Sequence, residues 1–198
     1  MKLELDYFYI GQAYGGKQTW FSDEWMRRGG CAAVTACDCS IYFSLFRKKN
    51  LYPYNVNQVM REDYIRFSKN MKPYLRPRMS GIDRLDLYID GFGKYLTDKG
   101  EEKLKMTAWE GERCIADTQI AVKRQIDEGF PIPCLVLKHM NPVFQDYVWH
   151  WFLLTGYEKL EDTFMVKVVT YGSWCWLRLD ELWNTGYERK GGLVLFYE

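Results

Sequence analysis

A cysteine that follows two glycines is the first candidate for chemistry in this sequence. Cys31 comes after Gly29-Gly30 and opens a run of small and apolar residues that ends at Phe46. The run predicts a helix over about 32–46, and the unpaired N–H groups and positive dipole end at its start favour a thiolate, the nucleophilic form of cysteine. The glycines leave room for a substrate backbone near the sulfur. Cys31 is therefore a candidate nucleophile, and the alternative is a small buried residue, as free cysteines usually are.

A nucleophilic thiol needs a base, and the sequence contains two histidines. His150 lies within the aromatic and apolar stretch 148–157, which predicts a strand. It is the better candidate, and its alternative is a packed core histidine whose ring nitrogens find partners. His139 lies in a predicted loop and is the weaker base. Gln18 is of interest because an amide beside a helix N-terminus can donate to an oxyanion, although an ordinary surface glutamine is the simpler interpretation.

Hydrophobic periodicity predicts the elements that must position these residues. Helices are expected over about 32–46, 58–67, 80–96 and 112–128, and strands over 132–138, 148–157, 163–171, 174–179 and 192–197. Ser22 is expected to cap a short helical turn in which Trp25 and Met26 pack inward. Helices followed by a largely antiparallel sheet define an α+β fold. We expect a single domain over 1–198, with a helical part at about 20–128 and a sheet part at about 129–198.

Composition narrows the classes of partner. The chain is 47% hydrophobic and 17% aromatic with a net charge of +1, and no basic run exceeds Arg47-Lys48-Lys49, so a nucleic-acid partner is not expected. No apolar run is long enough to cross a bilayer, and the N-terminus lacks a signal core, so we expect a cytoplasmic protein with no membrane partner. The six cysteines form no Cys-x-x-Cys pair, so a metal site is not expected, and without a secretory signal we expect reduced thiols. Nothing in the sequence requires an organic cofactor.

The order of these features resembles the papain-like cysteine peptidases, and within them the bacterial branch of double-glycine leader peptidases. Gly30-Cys31-Ala-Ala-Val-Thr-Ala36 is similar to the glycine-cysteine motif of that branch, and His150-Trp-Phe-Leu-Leu-Thr-Gly-Tyr157 to its histidine-tryptophan motif. Gly129-Phe-Pro-Ile-Pro-Cys-Leu-Val-Leu137 looks like the segment that precedes the histidine strand. The resemblance covers residues 1–46 and about 112–182. It implies a papain-like fold, with a central N-terminal helix and a helical layer packed on the sheet.

The resemblance also implies how the protein would act. The substrate would be a peptide or another acyl-bearing molecule, and Cys31 and His150 would form a thiolate–imidazolium pair. The oxyanion would lie between the Cys31 N–H and a glutamine, Gln18 or else Gln12. The family places Asn or Asp on the following strand to orient the imidazole, and this sequence has neither there. Thr170, Ser173 or a backbone carbonyl would hold the ring instead. We therefore expect a cysteine peptidase or related thiol hydrolase; the alternatives are a Cys–His acyltransferase or amidase acting on a small molecule, and a catalytically silent binding protein with an aromatic cleft.

Overall fold

The structure is a computed structural model that describes residues 1–79 and 81–198. Within those residues it has six helices and nine strands, and most of the strands lie in the last third of the chain. In chain order they are β1 (Lys2–Glu4), β2 (Tyr9–Ile10), β3 (Ala13–Tyr14), α1 (Glu24–Gly29), α2 (Cys31–Phe46), α3 (Arg61–Met71), α4 (Leu85–Asp98), β4 (Lys105–Glu110), α5 (Ile115–Asp127), β5 (Ile132–Val136), β6 (His150–Lys159), β7 (Phe164–Thr170), β8 (Ser173–Arg178), α6 (Leu179–Trp183) and β9 (Gly191–Tyr197).

Seven of the strands form one antiparallel sheet. Its order is β4-β9-β5-β6-β7-β8, and β1 lies on the same side of β6 as β5 does. β5 pairs with the first half of β6, from Val136 opposite His150 to Ile132 opposite Leu154, and β1 pairs with residues 156–158. β2 and β3 form a separate small hairpin. The predicted α+β class and antiparallel sheet are confirmed.

The sheet draws strands from the whole chain, which differs from the predicted division into a helical and a sheet part. β4 lies within the region assigned to helices and pairs with β9 to form one edge. β1 comes from the N-terminus. Both pairings join segments distant in sequence, so local periodicity cannot indicate them.

The central helix α2 packs against β6 and α3, and helices α4 and α5 cover other parts of the sheet. Ala32, Ala33 and Ala36 are at most 1% exposed, and their small side chains let the helix approach its neighbours closely. Residues on every side of its first three turns are buried, so the helix lacks the polar face of a surface helix. This confirms the predicted central helix.

Several predicted boundaries were wrong. Asp23, not Ser22, caps α1, by accepting a hydrogen bond from the Met26 N–H. Met26 is buried as expected, whereas Trp25 is 60% exposed. The helix predicted over 58–67 is α3 and begins at Arg61. The start predicted at 80 includes a residue outside the described ones, and α4 begins at Leu85.

Within residues 1–79 and 81–198, no helix combines the length and hydropathy required to cross a bilayer.

Candidate active site

Gly30 joins α1 to α2 and fixes the position of Cys31. It is the C-cap of α1, where its N–H donates to the Met26 carbonyl at 2.8 Å, and the N-cap of α2, where its carbonyl accepts from Val34 at 2.9 Å. A Cβ at Gly30 would lie 2.2 Å from the Met26 oxygen. Only glycine fits this junction, so Gly30 serves the turn between two helices, and Gly29 is the glycine that lines the neighbouring cleft.

His150 is the first residue of β6 and follows an unusual backbone conformation. Trp149 has φ of 53°, in the left-handed region that bulky residues rarely adopt. Its N–H donates to the Leu137 carbonyl at 3.0 Å, which ties this bend to the end of β5. Such strain is often found at functional sites. Here it places a 45% exposed indole directly before a histidine that is 6% exposed.

The imidazole of His150 is held from two sides by the end of β7. Thr170 Oγ1 lies 2.6 Å from Nε2, within hydrogen-bond distance. The Tyr171 ring stacks on the imidazole with centroids 4.6 Å apart and planes 4° apart, and its hydroxyl donates to the Asp146 carbonyl at 2.7 Å. The Nδ1 atom of His150 forms no hydrogen bond with any residue of the described ranges. The nitrogen not engaged by Thr170 is therefore the one available to a second group.

Tyr171 owes its position to a tight turn between β7 and β8. Tyr171 and Gly172 both have positive φ, 53° and 70°, which is the signature of the type I′ turn favoured in two-residue hairpins. Thr170 pairs with Ser173 across this turn. A bulky residue at positive φ is uncommon, so the aromatic cover over His150 is maintained against its local conformational preference.

Cys31, His150 and Gln18 line one cleft of about 630 Å³. Such a volume suits a ligand larger than a single small acyl group. The remaining wall combines apolar and aromatic side chains with an ion pair between Arg28 and Glu24 at 2.6 Å. The other lining residues are Trp25, Gly29, Pro77, Arg78, Met79, Gly81, Ile82, Leu135, Leu137 and Trp149.

The surroundings of the thiol act on its ionisation in opposite directions. Burial raises the pKa of Cys31, which is 7% exposed, while backbone N–H groups of Trp151, Ala32 and Cys31 itself oppose that rise. The N–H groups of the first α2 turn are the unpaired donors expected at a helix start. The cost of removing a thiolate from water outweighs them, so the pKa of the thiol lies above its usual value.

Burial has the opposite effect on the pKa of the imidazole, because the charged form of an imidazole is the protonated one. Burial lowers the pKa of His150 from 6.5 to about 4. At neutral pH the free protein therefore holds a neutral imidazole and a protonated Cys31, whereas the family resemblance implies a thiolate–imidazolium pair. Among the described residues, no hydrogen bond joins the Cys31 thiol to His150. Burial also raises the pKa of Tyr171, whose ring covers His150.

The two candidate glutamines lie in different places. Gln18 begins a 3₁₀ turn and lines the cleft, but its Nε2 donates to the carbonyls of Arg27 at 3.3 Å and Arg28 at 3.5 Å. Its Oε1 is buried and has no hydrogen-bond partner among the described residues. Gln12 is exposed in the β2–β3 turn and lines a separate cavity. Of the two, only Gln18 belongs to the cleft, and its amide nitrogen is directed to the end of α1.

His139 has a structural environment. Its Nδ1 accepts a hydrogen bond from the Asn141 N–H at 3.0 Å, and its Nε2 therefore donates to the Glu181 carbonyl at 3.0 Å. The ring also packs on Phe144, with centroids 4.4 Å apart. Both nitrogens are engaged in holding the loop before β6, so His139 is not available as a base in this conformation.

Sequence reasoning did not identify two aromatic residues beside the base, Trp149 and Tyr171, and it assigned a third, Trp151, to the wall of an aromatic cleft that Trp151 does not line. Two of them have a local signal, because Trp149 precedes the histidine and Tyr171 precedes a glycine in a hairpin turn. The third, Trp151, is buried on the opposite face of β6 and donates from Nε1 to the Ile82 carbonyl at 2.6 Å. That contact links β6 to the segment before α4, and no sequence spacing indicates it.

Comparison of the chain with protein-family profiles, with curated proteins and with solved structures gives no match.

Proposed function

We propose that this protein is a papain-like thiol hydrolase that acts on a peptide, with Cys31 as nucleophile and His150 as base. The observation that carries the proposal is the shared cleft: a thiol at the start of a central helix and an imidazole fixed through Nε2 both line it. This combination of a nucleophile, a base and a group that orients the base is the general arrangement of covalent hydrolases.

The proposed reaction begins from the neutral pair. With the Nε2–H of His150 donating to Thr170, Nδ1 accepts the thiol proton as the Cys31 sulfur attacks the substrate carbonyl carbon. The new S–C bond creates an oxyanion, which the N–H groups at the start of α2 stabilise. His150 then gives its proton to the departing amine as the C–N bond breaks, leaving a thioester on Cys31. Water, deprotonated by His150, then attacks the thioester carbonyl carbon; the C–S bond breaks, the carboxylic acid leaves, and the Cys31 sulfur takes the proton back from His150.

Gln18 takes part in this mechanism only after its side chain has moved. Its Nε2 donates to the carbonyls at the end of α1, so it must turn into the cleft to serve the oxyanion. Its side chain has one reason to rotate, because the buried Oε1 lacks a partner in the described structure. We include Gln18 as a donor that is recruited when substrate binds.

Turnover of matched substrates tests the proposal. Peptides and small acyl amides are incubated with the protein, with Cys31→Ser and His150→Ala as inactive references. Release of free acid from peptides, lost in both variants, supports the hydrolase. Transfer of the acyl group to an added amine in preference to water indicates an acyltransferase instead, and hydrolysis confined to small amides indicates an amidase.

A second candidate is binding without catalysis. It is favoured by the neutral forms of both groups and by Thr170, a hydroxyl, at the place where the family has an amide or a carboxylate. A hydroxyl orients the imidazole but stabilises an imidazolium less than a carboxylate does. Peptide binding that persists in Cys31→Ser, together with no acyl transfer in the wild type, would favour this candidate.

A further inference from the structure

Asp38 is a buried carboxylate in the middle of α2, outside the cleft. It is 3% exposed, and burial raises its pKa to about 6. Its oxygens accept hydrogen bonds from Tyr7 Oη at 2.9 Å, Tyr64 Oη at 2.8 Å and the Gly16 N–H at 3.1 and 3.2 Å. No cation among the described residues pairs with it. Burying a charge that only neutral donors compensate is costly, so this arrangement needs a reason beyond helix packing.

The backbone around Gly16 is fitted closely to this carboxylate. A Cβ at Gly15, which has φ of +75°, would lie 2.5 Å from the Asp38 Oδ2 atom. A Cβ at Gly16 would lie 1.9 Å from the Tyr64 hydroxyl. Two successive glycines therefore allow the segment 14–18, called the glycine loop below, to rest directly on α2 at Asp38.

The glycine loop leads into the cleft at one end. Gln18 follows Gly16 by two residues and lines the cleft beside Cys31. The position of Gln18 is thus set by a segment whose hydrogen bond to α2 goes to Asp38, seven residues after Cys31 on the same helix.

The same loop also supports the cover over His150. The side chain of Lys17 lies against the β7–β8 turn, where its Cε would be 2.1 Å from a Cβ at Gly172. The Tyr14 N–H donates to the Gly172 carbonyl at 2.9 Å. That turn carries Tyr171, whose ring stacks on His150. Contacts therefore run without interruption from Asp38 through the glycine loop to the group that encloses the base.

We infer that Asp38 is a positioning residue of the proposed thiol site, which holds the glycine loop so that Gln18 and the Tyr171 cover take their places. The inference rests on the proposed function. Asp38 touches neither substrate nor the reacting atoms, and its effect is transmitted through Gly16 and the residues that follow it.

The test is Asp38→Asn, which keeps the shape of the side chain. The Gly16 N–H contacts both carboxylate oxygens, so in either orientation of the amide it keeps one acceptor and faces one new N–H donor. The amide nitrogen also replaces an oxygen that accepts from a tyrosine hydroxyl, so the contact that holds the loop is weakened in either orientation. We expect the rate constant for acylation of Cys31 to fall at least tenfold with a smaller change in KM. We also expect the NMR titration midpoint of His150 to rise by at least one pH unit as its cover loosens.

Ser40→Ala is the matched control. Ser40 is fully buried in the same helix, but its hydroxyl donates to the Ala36 carbonyl at 2.8 Å and so serves only that helix. Ser40→Ala is expected to leave both readouts unchanged. Should Asp38→Asn not fold, Tyr7→Phe removes one donor to Asp38 and is expected to shift both readouts in the same direction by a smaller amount.

A folded Asp38→Asn protein with the wild-type His150 midpoint and an acylation rate within twofold of wild type overturns the inference. The failure of the proposed function has a different signature, because then the wild type does not acylate Cys31 at all. In that case the His150 midpoint, which needs no turnover, still decides whether Asp38 holds the cover in place. An unmoved midpoint rejects the inference, and a raised one supports it.

Discussion

His150 is expected to remain neutral until the pH falls to about 4, and this has a measurable effect on stability. The imidazole is enclosed by Tyr171 and bonded to Thr170, and burial lowers its pKa from 6.5 to about 4. At about 1.4 kcal/mol for each pH unit, the difference amounts to about 3 kcal/mol. The unfolded chain takes up this proton below pH 6.5, whereas the folded protein does so only near pH 4. His150 therefore costs no stability above pH 6.5, and the free energy of unfolding decreases progressively as the pH falls from 6.5 to 4.

Asp38 acts in the opposite sense over much of the same range. Its folded pKa, about 6, is raised above the ordinary value of 3.8, so the folded protein takes up this proton first as the pH falls. Its contribution to the free energy of unfolding thus increases from pH 6 to pH 3.8. The two effects partly cancel, and the pH dependence of the wild type alone does not reveal either.

The assay is therefore a comparison of urea unfolding for wild type and His150→Gln at pH 7 and pH 4. The wild type is expected to lose about 3 kcal/mol more than the variant between these values. NMR titration of the His150 ring gives the midpoint directly. Tyr171→Ala is expected to raise that midpoint by at least one unit, and Tyr171→Phe, which keeps the stacked ring, to raise it less. A wild-type midpoint at or above 6.5, or equal pH dependence in the two proteins, would refute the reasoning from burial.

Three further predictions concern the thiol, its base and the glycine loop. Thr170→Val leaves the buried Nε2 of His150 without a partner, which costs about 1–3 kcal/mol. Acylation of Cys31 is therefore expected to slow roughly five- to 150-fold, while the control Thr170→Ser is expected to retain most of the rate. Alkylation of Cys31 by iodoacetamide, followed by mass spectrometry, is expected to rise with pH beyond 9 because burial raises its pKa; a rate independent of pH between 5 and 8 would indicate an ion pair instead. Gly16→Ala is expected to destabilise the fold by about 1–3 kcal/mol in urea unfolding, because its Cβ meets Tyr64. Gly29→Ala, whose Cβ would lie 3.4 Å from Pro77, is the control, and equal losses in the two variants would contradict this account.

Most of the helices and strands can be predicted from the sequence, because the hydrophobic pattern within each segment largely determines them. The small and apolar run after Gly30 forms α2 as expected, and the five strands predicted in the last third are all present. The prediction was less successful where tertiary contacts decide. Ile120, for example, is one of the apolar residues from which the helix over 112–128 is predicted to pack inward, yet it is 67% exposed. Periodicity alone did not indicate which side of that helix packs on the sheet.

The sequence indicates the two principal residues of the candidate site but not the groups that support them. Cys31 and His150 line one cleft, and their action as a pair stays a prediction. The neutral state of the pair depends on burial by Tyr171 and on the packing of β6, which no spacing in the sequence shows. The direction of the Gln18 amide depends on the carbonyls at the end of α1, and these reach it only in the folded chain.

The most direct test of the central claim is the trapping of an acyl group on Cys31. The protein is mixed with an activated peptidyl ester, quenched in acid within seconds and digested for mass spectrometry, with His150→Ala treated in parallel. We expect a thioester on Cys31 that forms at least 100-fold more slowly in His150→Ala, the magnitude expected of a general base. Labelling of Cys31 at the same rate in both proteins, or of exposed Cys114 in preference to it, would contradict the claim that Cys31 and His150 act as a catalytic pair.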